Sequence, residues 1–160
     1  QEDLNSLIAP VVEDSLLRKF VEAQDNYNLT ESELDVGNKM FFSPVEGNLT
    51  AKFNFEEKHY GIDVSVPSGS PIRSVLDGRV LFSEWSFETG YVLVVTHNDN
   101  LISVYKHSKK NLKSQNEFVK AGEVIAYSGN QGQLSTGPHL HFELWQNGIP
   151  INPEPFFKFN

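Results

Sequence analysis

The sequence predicts a mainly β fold, in which antiparallel strands build a two-layer, barrel-sandwich-like sheet behind a short N-terminal helical segment. Three observations predict it. From "SPVEG" onward, short β-branched and aromatic runs alternate with turn punctuation, the pattern of an antiparallel all-β domain. "SGSPIRSVLDGRVLF" and "EFVKAGEVIAYSG" share a plan of turn, hydrophobic strand, glycine and second strand, which points to a sheet folded over on itself. Residues 1–43 break the pattern, so the chain divides into a helix-and-linker segment, 1–43, and a β domain, 44–160.

Taken in order, "EDSLLRKFVEAQ" places Leu16, Leu17, Phe20 and Val21 on one helical face, after Pro10 and before the polar stretch "DNYNLTESE". The strands expected in the β domain are "RVLFSEW" (79–85), "YVLVVTH" (91–97), "ISVYKHS" (102–108), "EVIAYSG" (123–129) and "HLHFELW" (139–145). "NDN" and "QNG" supply hairpin turns, because Asn and Gly accept the positive φ that tight hairpins require.

Composition narrows the function. A chain of 160 residues suffices for one conventional core. It has no cysteine, which rules out disulfides and thiolate metal sites; a metal here must be held by histidine, carboxylate or water. A net charge of −8 repels a phosphate backbone and argues against nucleic acid as a partner. No apolar run reaches the roughly 20 residues of a membrane span, and no signal peptide is visible. The first residue is Gln1 rather than methionine, which marks a processed or truncated chain; any membrane anchor would lie in a segment upstream.

The chemistry concentrates in "STGPHLHFELWQNG" (135–148). Side chains alternate along a strand, so His139, His141, Glu143 and Trp145 share one face while Leu140, Phe142 and Leu144 face the core. The two histidines, with Cα atoms roughly 6.6 Å apart, are close enough to converge on a metal ion and its water. "HYGIDV" adds His59 and Asp63, four residues apart around Gly61, as one nitrogen and one oxygen donor. With one histidine of the His139/His141 pair they complete two histidines and a carboxylate, a known catalytic zinc set with a fourth position open to water. The other histidine of the pair is then placed to move protons. His107, read as ending the strand "ISVYKH" beside a lysine-rich loop, could act as a base, but its own context favours a solvated turn residue. His97 closes "VVTH" with no donor nearby in sequence and is left out of the site. "NQGQLSTGP" (130–138) reads as a turn, or as a groove wall that a peptide backbone can approach closely.

"HYGID", "DGRV", "YKH", "VKAGEVIAYSGNQG" and "STGPHLHFELW", with "NG" and "NP" after it, together resemble the M23 family of zinc metallopeptidases, the LytM or lysostaphin type, from about residue 44 to 157. The resemblance implies a zinc set of His59, Asp63 and His141, with His107 and His139 as the catalytic pair. It implies a zinc-dependent endopeptidase acting on stem or cross-link peptides of bacterial peptidoglycan, located in the cell envelope. Members without peptidase activity have usually lost metal ligands, whereas this chain keeps all three and both further histidines. It departs from the many members that read Tyr-Ala-His-Leu where it has Tyr105, Lys106, His107 and Ser108, and from those with a tyrosine or arginine shortly before the first ligand, where it has Phe53 to Lys58.

Two other readings compete. A non-enzymatic LytM-like module regulating a cell-wall amidase predicts a missing ligand or a blocked groove. A biotinyl or lipoyl carrier, which "VKAGEVIA" and its repeat also resemble, needs a lysine at a hairpin tip, and Lys120 sits before the turn instead.

Overall fold

The computed structural model describes residues 39–129 and 137–159. Ten strands lie among them: β1 (Asn48–Ala51), β2 (Ile62–Ser65), β3 (Pro71–Arg73), β4 (Gly78–Ser86), β5 (Gly90–Thr96), β6 (Leu101–Asn111), β7 (Phe118–Val119), β8 (Val124–Ser128), β9 (His139–Gln146) and β10 (Ile149–Ile151). A 3-10 turn spans Glu154–Phe156. All pairings are antiparallel, in the order β1-β2-β9-β6-β5-β4-β7, with β10 on β9 and β8 joining β3 to β6. This is the antiparallel β architecture expected from the sequence. The helix expected around Leu16–Val21 lies outside the described residues, as do positions 130–136 of the "NQGQLSTGP" segment. No helix among the described residues is long and apolar enough to cross a membrane.

The internal repeat has a direct structural counterpart. The first strand of each half pairs with the second strand of the other: β3 lies on β8 and β7 on β4. The sheet is thereby folded over, and the core forms within the fold. Ile62, Val64, Val80, Leu93, Tyr105, Ile125 and Phe142 are buried there, with Phe41, Phe156 and Phe157 packed against them. Leu140 and Leu144 join this core, as the alternation along β9 predicts. The opposite face of β9 is also covered. Trp145 is fully buried in a second cluster with Phe82, Val92, Val94, Ile102 and Val104.

The "QNG" turn follows its local chemistry. Asn147 and Gly148 take φ of 53° and 78° between the paired residues Gln146 and Ile149, the double positive φ that a two-residue hairpin needs. His107 corrects the expectation for its segment: it does not end a strand, and the lysines after it are not a loop. Both belong to the eleven-residue β6. One edge of β6 changes partner at this residue, with Leu101–Lys106 against β9 and Ser108–Asn111 against β8. His107 takes a left-handed φ of 71° at that junction.

Candidate metal centre

Antiparallel register brings Asp63 on β2 directly opposite His141 on β9, and Ser65 opposite His139. His59 enters from a tight loop closed by reciprocal backbone hydrogen bonds between Asn54 and His59, with Lys58 at φ 61°. Gly61 lets β2 begin this close to β9. A Cβ there would stand 2.3 Å from the carbonyl oxygen of Phe142, so position 61 favours glycine.

The three side chains converge. His141 Nδ1 lies 2.7 Å from Asp63 Oδ1, and His59 Nε2 lies 3.3 Å from Asp63 Oδ2. One donor atom from each residue lies within 4.8 Å of the others. Each imidazole also directs its second nitrogen to an oxygen acceptor: His59 Nδ1 to the Lys52 carbonyl at 2.7 Å, and His141 Nε2 to Glu143 Oε2 at 2.7 Å. Metal-ligating histidines are oriented in this way, the outer hydrogen bond fixing the ring and the tautomer. Two nitrogens and a carboxylate in a half-buried cleft fit zinc.

Electrostatics follow from these contacts. Burial disfavours a charge on His141, but hydrogen bonds to Asp63 and Glu143 outweigh it and raise its pKa to about 9. Burial likewise opposes the Asp63 carboxylate, and the hydrogen bond from His141 with the neighbouring histidines carries its pKa below the usual value. The buried Glu143 carboxylate is held ionised by Lys106, His141 and Trp145.

His107 and His139 stand beside this cluster. Their ring centroids are 4.9 Å apart, and that of His107 is 6.1 Å from His141. His107 directs its Nδ1 to the carbonyl of Thr89 at 3.0 Å, and His139 directs its own to the carbonyl of Gly137 at 2.8 Å. Both rings therefore turn Nε2 away from their backbone anchors. The Thr89 carbonyl also accepts the backbone N–H of His107, so one oxygen on the β4–β5 hairpin holds both the ring and the strained main chain. A cavity of about 210 Å³ adjoins the cluster, lined by Thr50, Asp63, Ser65, Gly137, Pro138 and His139. His97 sits apart, bonded to the Asp77 carbonyl and Ser103 Oγ. It lines a separate cavity of about 600 Å³ to which none of His59, Asp63, His107, His139 and His141 contributes.

The sequence reading missed the part played by Glu143. It is fully buried, and its carboxylate also accepts the indole N–H of Trp145 at 2.8 Å. The available signal was its place two residues after His141 on the same strand face.

Comparison with known proteins locates the same region. The family model described as Peptidase family M23 matches residues 57–153. The chain is 36% identical over 110 residues to the peptidoglycan DD-endopeptidase ShyC of Vibrio cholerae, covering 69% of this chain and 24% of that protein. It is 35% identical over 112 residues to the murein hydrolase activator NlpD of Escherichia coli, covering 69% and 29%. A crystal structure of a zinc-containing peptidase from Vibrio cholerae superposes with a TM-score of 0.67 at 32% identity, over 71% of this chain and 39% of that one. The chain spans between 22% and 29% of the length of the curated relatives it matches.

Proposed function

The chain belongs to peptidase family M23, and from that premise we propose that it is a zinc-dependent endopeptidase cutting stem or cross-link peptides of bacterial peptidoglycan in the cell envelope. The observation that carries this reading is the convergence of His59, Asp63 and His141, with His107 and His139 paired alongside. Zinc would be held by His59 Nε2, the Asp63 carboxylate and His141 Nδ1. When bound, it polarises a carbonyl oxygen and lowers the pKa of a coordinated water to about 7.

The remaining chemistry falls to the chain's own groups. His139 and His107, with Nδ1 anchored to backbone carbonyls, handle protons at Nε2, taking one from the attacking water and supplying one to the leaving amine. Once protonated at Nε2, either ring can also donate a hydrogen bond to the oxygen on which charge develops. The cavity along Thr50, Ser65 and His139 gives an extended peptide a place beside the reacting atoms. Residues 1–43 would precede the peptidase domain, 44–160, as a helix-and-linker segment.

The similarity to NlpD favours a second reading, a module that activates another murein hydrolase instead of cutting peptide bonds. The retained donor set supports the catalytic reading over it. Incubating the purified protein with intact peptidoglycan and with isolated muropeptides, and identifying new amines by mass, separates the two. New amines within stems or cross-bridges are expected from the protein alone. Products that form only when an amidase is added would support the activator.

A further inference from the structure

Lys106 is a buried lysine, 5% exposed, on the strand that faces His141. Register places Lys106 opposite His141 and Val104 opposite Glu143 on the β6–β9 pair. The Lys106 ammonium lies 3.5 Å from Glu143 Oε2, the same oxygen that accepts the Nε2–H of His141 at 2.7 Å. Trp145 donates to the other oxygen, Oε1, at 2.8 Å. The carboxylate is thus gripped at both ends, by an indole at one and an ammonium at the other.

A lone lysine or a lone glutamate at this depth is strongly disfavoured, and the pair persists because each offsets the desolvation of the other. Buried ion pairs are weak evidence for stability, since well-packed apolar residues of similar volume serve as well or better. A reason for charge at this position is more readily found in what Glu143 touches. We propose that Lys106 is a positioning residue for the metal centre: it holds Glu143 Oε2 against His141 Nε2–H, which turns the Nδ1 of His141 toward Asp63 and His59. This inference rests on the zinc reading above and adds a chain of contacts, Lys106 to Glu143 to His141, that reaches the centre from β6. Its charge also disfavours a proton on His141 directly, but its positioning contact is the one with Glu143.

The test is the zinc dissociation constant, measured at fixed pH by competition with a chromophoric chelator, for the full chain and for Lys106→Met, Glu143→Gln and the double variant. Losing an outer partner of a metal-ligating histidine typically weakens metal binding about 10- to 100-fold; Glu143→Gln is expected in that range, and Lys106→Met, one contact further out, toward its lower end. Because Lys106 acts through Glu143, the double variant should bind within about threefold of Glu143→Gln alone, the non-additivity of residues in one network. If Lys106→Met does not fold, Lys106→Leu, which likewise offers the carboxylate no donor, takes its place in the same cycle. Zinc binding by the lysine variant as tight as that of the unaltered chain would overturn the proposal, as would single effects that multiply in the double variant. An unaltered chain that binds no zinc would overturn the zinc reading itself, an outcome distinct from both.

Discussion

Asp63 and His141 face each other across the β2–β9 pair with Oδ1 and Nδ1 2.7 Å apart, a hydrogen bond in which His141 donates. Without metal, Asp63 and Glu143 together keep a proton on this imidazole and raise its pKa to about 9. In the metal-free protein the resulting stabilisation is fully present below the unfolded value of about 6.5 and is lost as pH rises toward 9. Zinc held as proposed would need the same Nδ1 lone pair, so the ion and the proton would compete.

Zinc binding should therefore release close to one proton per chain near neutral pH. Its apparent affinity should weaken by about tenfold for each unit that the pH falls below 9. Calorimetry in buffers of different ionisation enthalpy measures the proton count. Binding that releases no proton would separate His141 Nδ1 from the metal.

Gly61→Ala is expected to damage both fold and site. The added Cβ would meet the Phe142 carbonyl at 2.3 Å and Glu143 Cγ at 2.8 Å, and backbone cannot yield as a side-chain tip can. The resulting shift of β2 from β9 should cost about 1–3 kcal/mol, the usual range for overpacking. It should also weaken zinc binding by separating Asp63 from His141. Denaturant melts and zinc titration of this variant check the two effects separately.

His97 makes an acid-labile contribution at a distance from the metal centre. Burial is the main cause that lowers its pKa to about 4, with its rings' nitrogens committed to the Asp77 carbonyl and Ser103 Oγ. The unfolded chain binds a proton at about 6.5 while the folded one does not, so stability falls as pH drops from 6.5 toward 4. Allowing for its partial exposure, the loss is about 1–3 kcal/mol. Unfolding free energies of the metal-free protein and of His97→Gln, measured between pH 7 and pH 4, should converge as the medium is acidified.

The long strands were legible because they carry a pattern. β4, β5, β6, β8 and β9 each contain β-branched or aromatic runs long enough to show alternation or a continuous buried stripe. β1, β3, β7 and β10 span two to four residues, too few for any period to register. β2 was visible only as the motif "HYGIDV", although its register on β9 is what brings Asp63 to His141. The row His139, His141, Glu143 and Trp145 was correctly placed on one face. The burial of Trp145 was not visible, because the residues that cover it come from β4, β5 and β6. The conformation of His107 was equally hidden. Its left-handed φ depends on the Thr89 carbonyl and on a change of strand partner, neither of which has a local signature.

The account stands most directly on the different failures expected of three histidine variants, read as zinc stoichiometry beside the rate of muropeptide cleavage. His141→Ala removes a donor and leaves His59 and Asp63, too few to hold zinc tightly, so metal and activity should fall together. His139→Ala and His107→Ala leave all three donors and remove groups that handle protons, so zinc should stay near one per chain while cleavage slows by about 10² to 10⁴. Zinc retained by His141→Ala but lost from His139→Ala would invert the ligand assignment, and normal cleavage by all three would contradict the account at its centre.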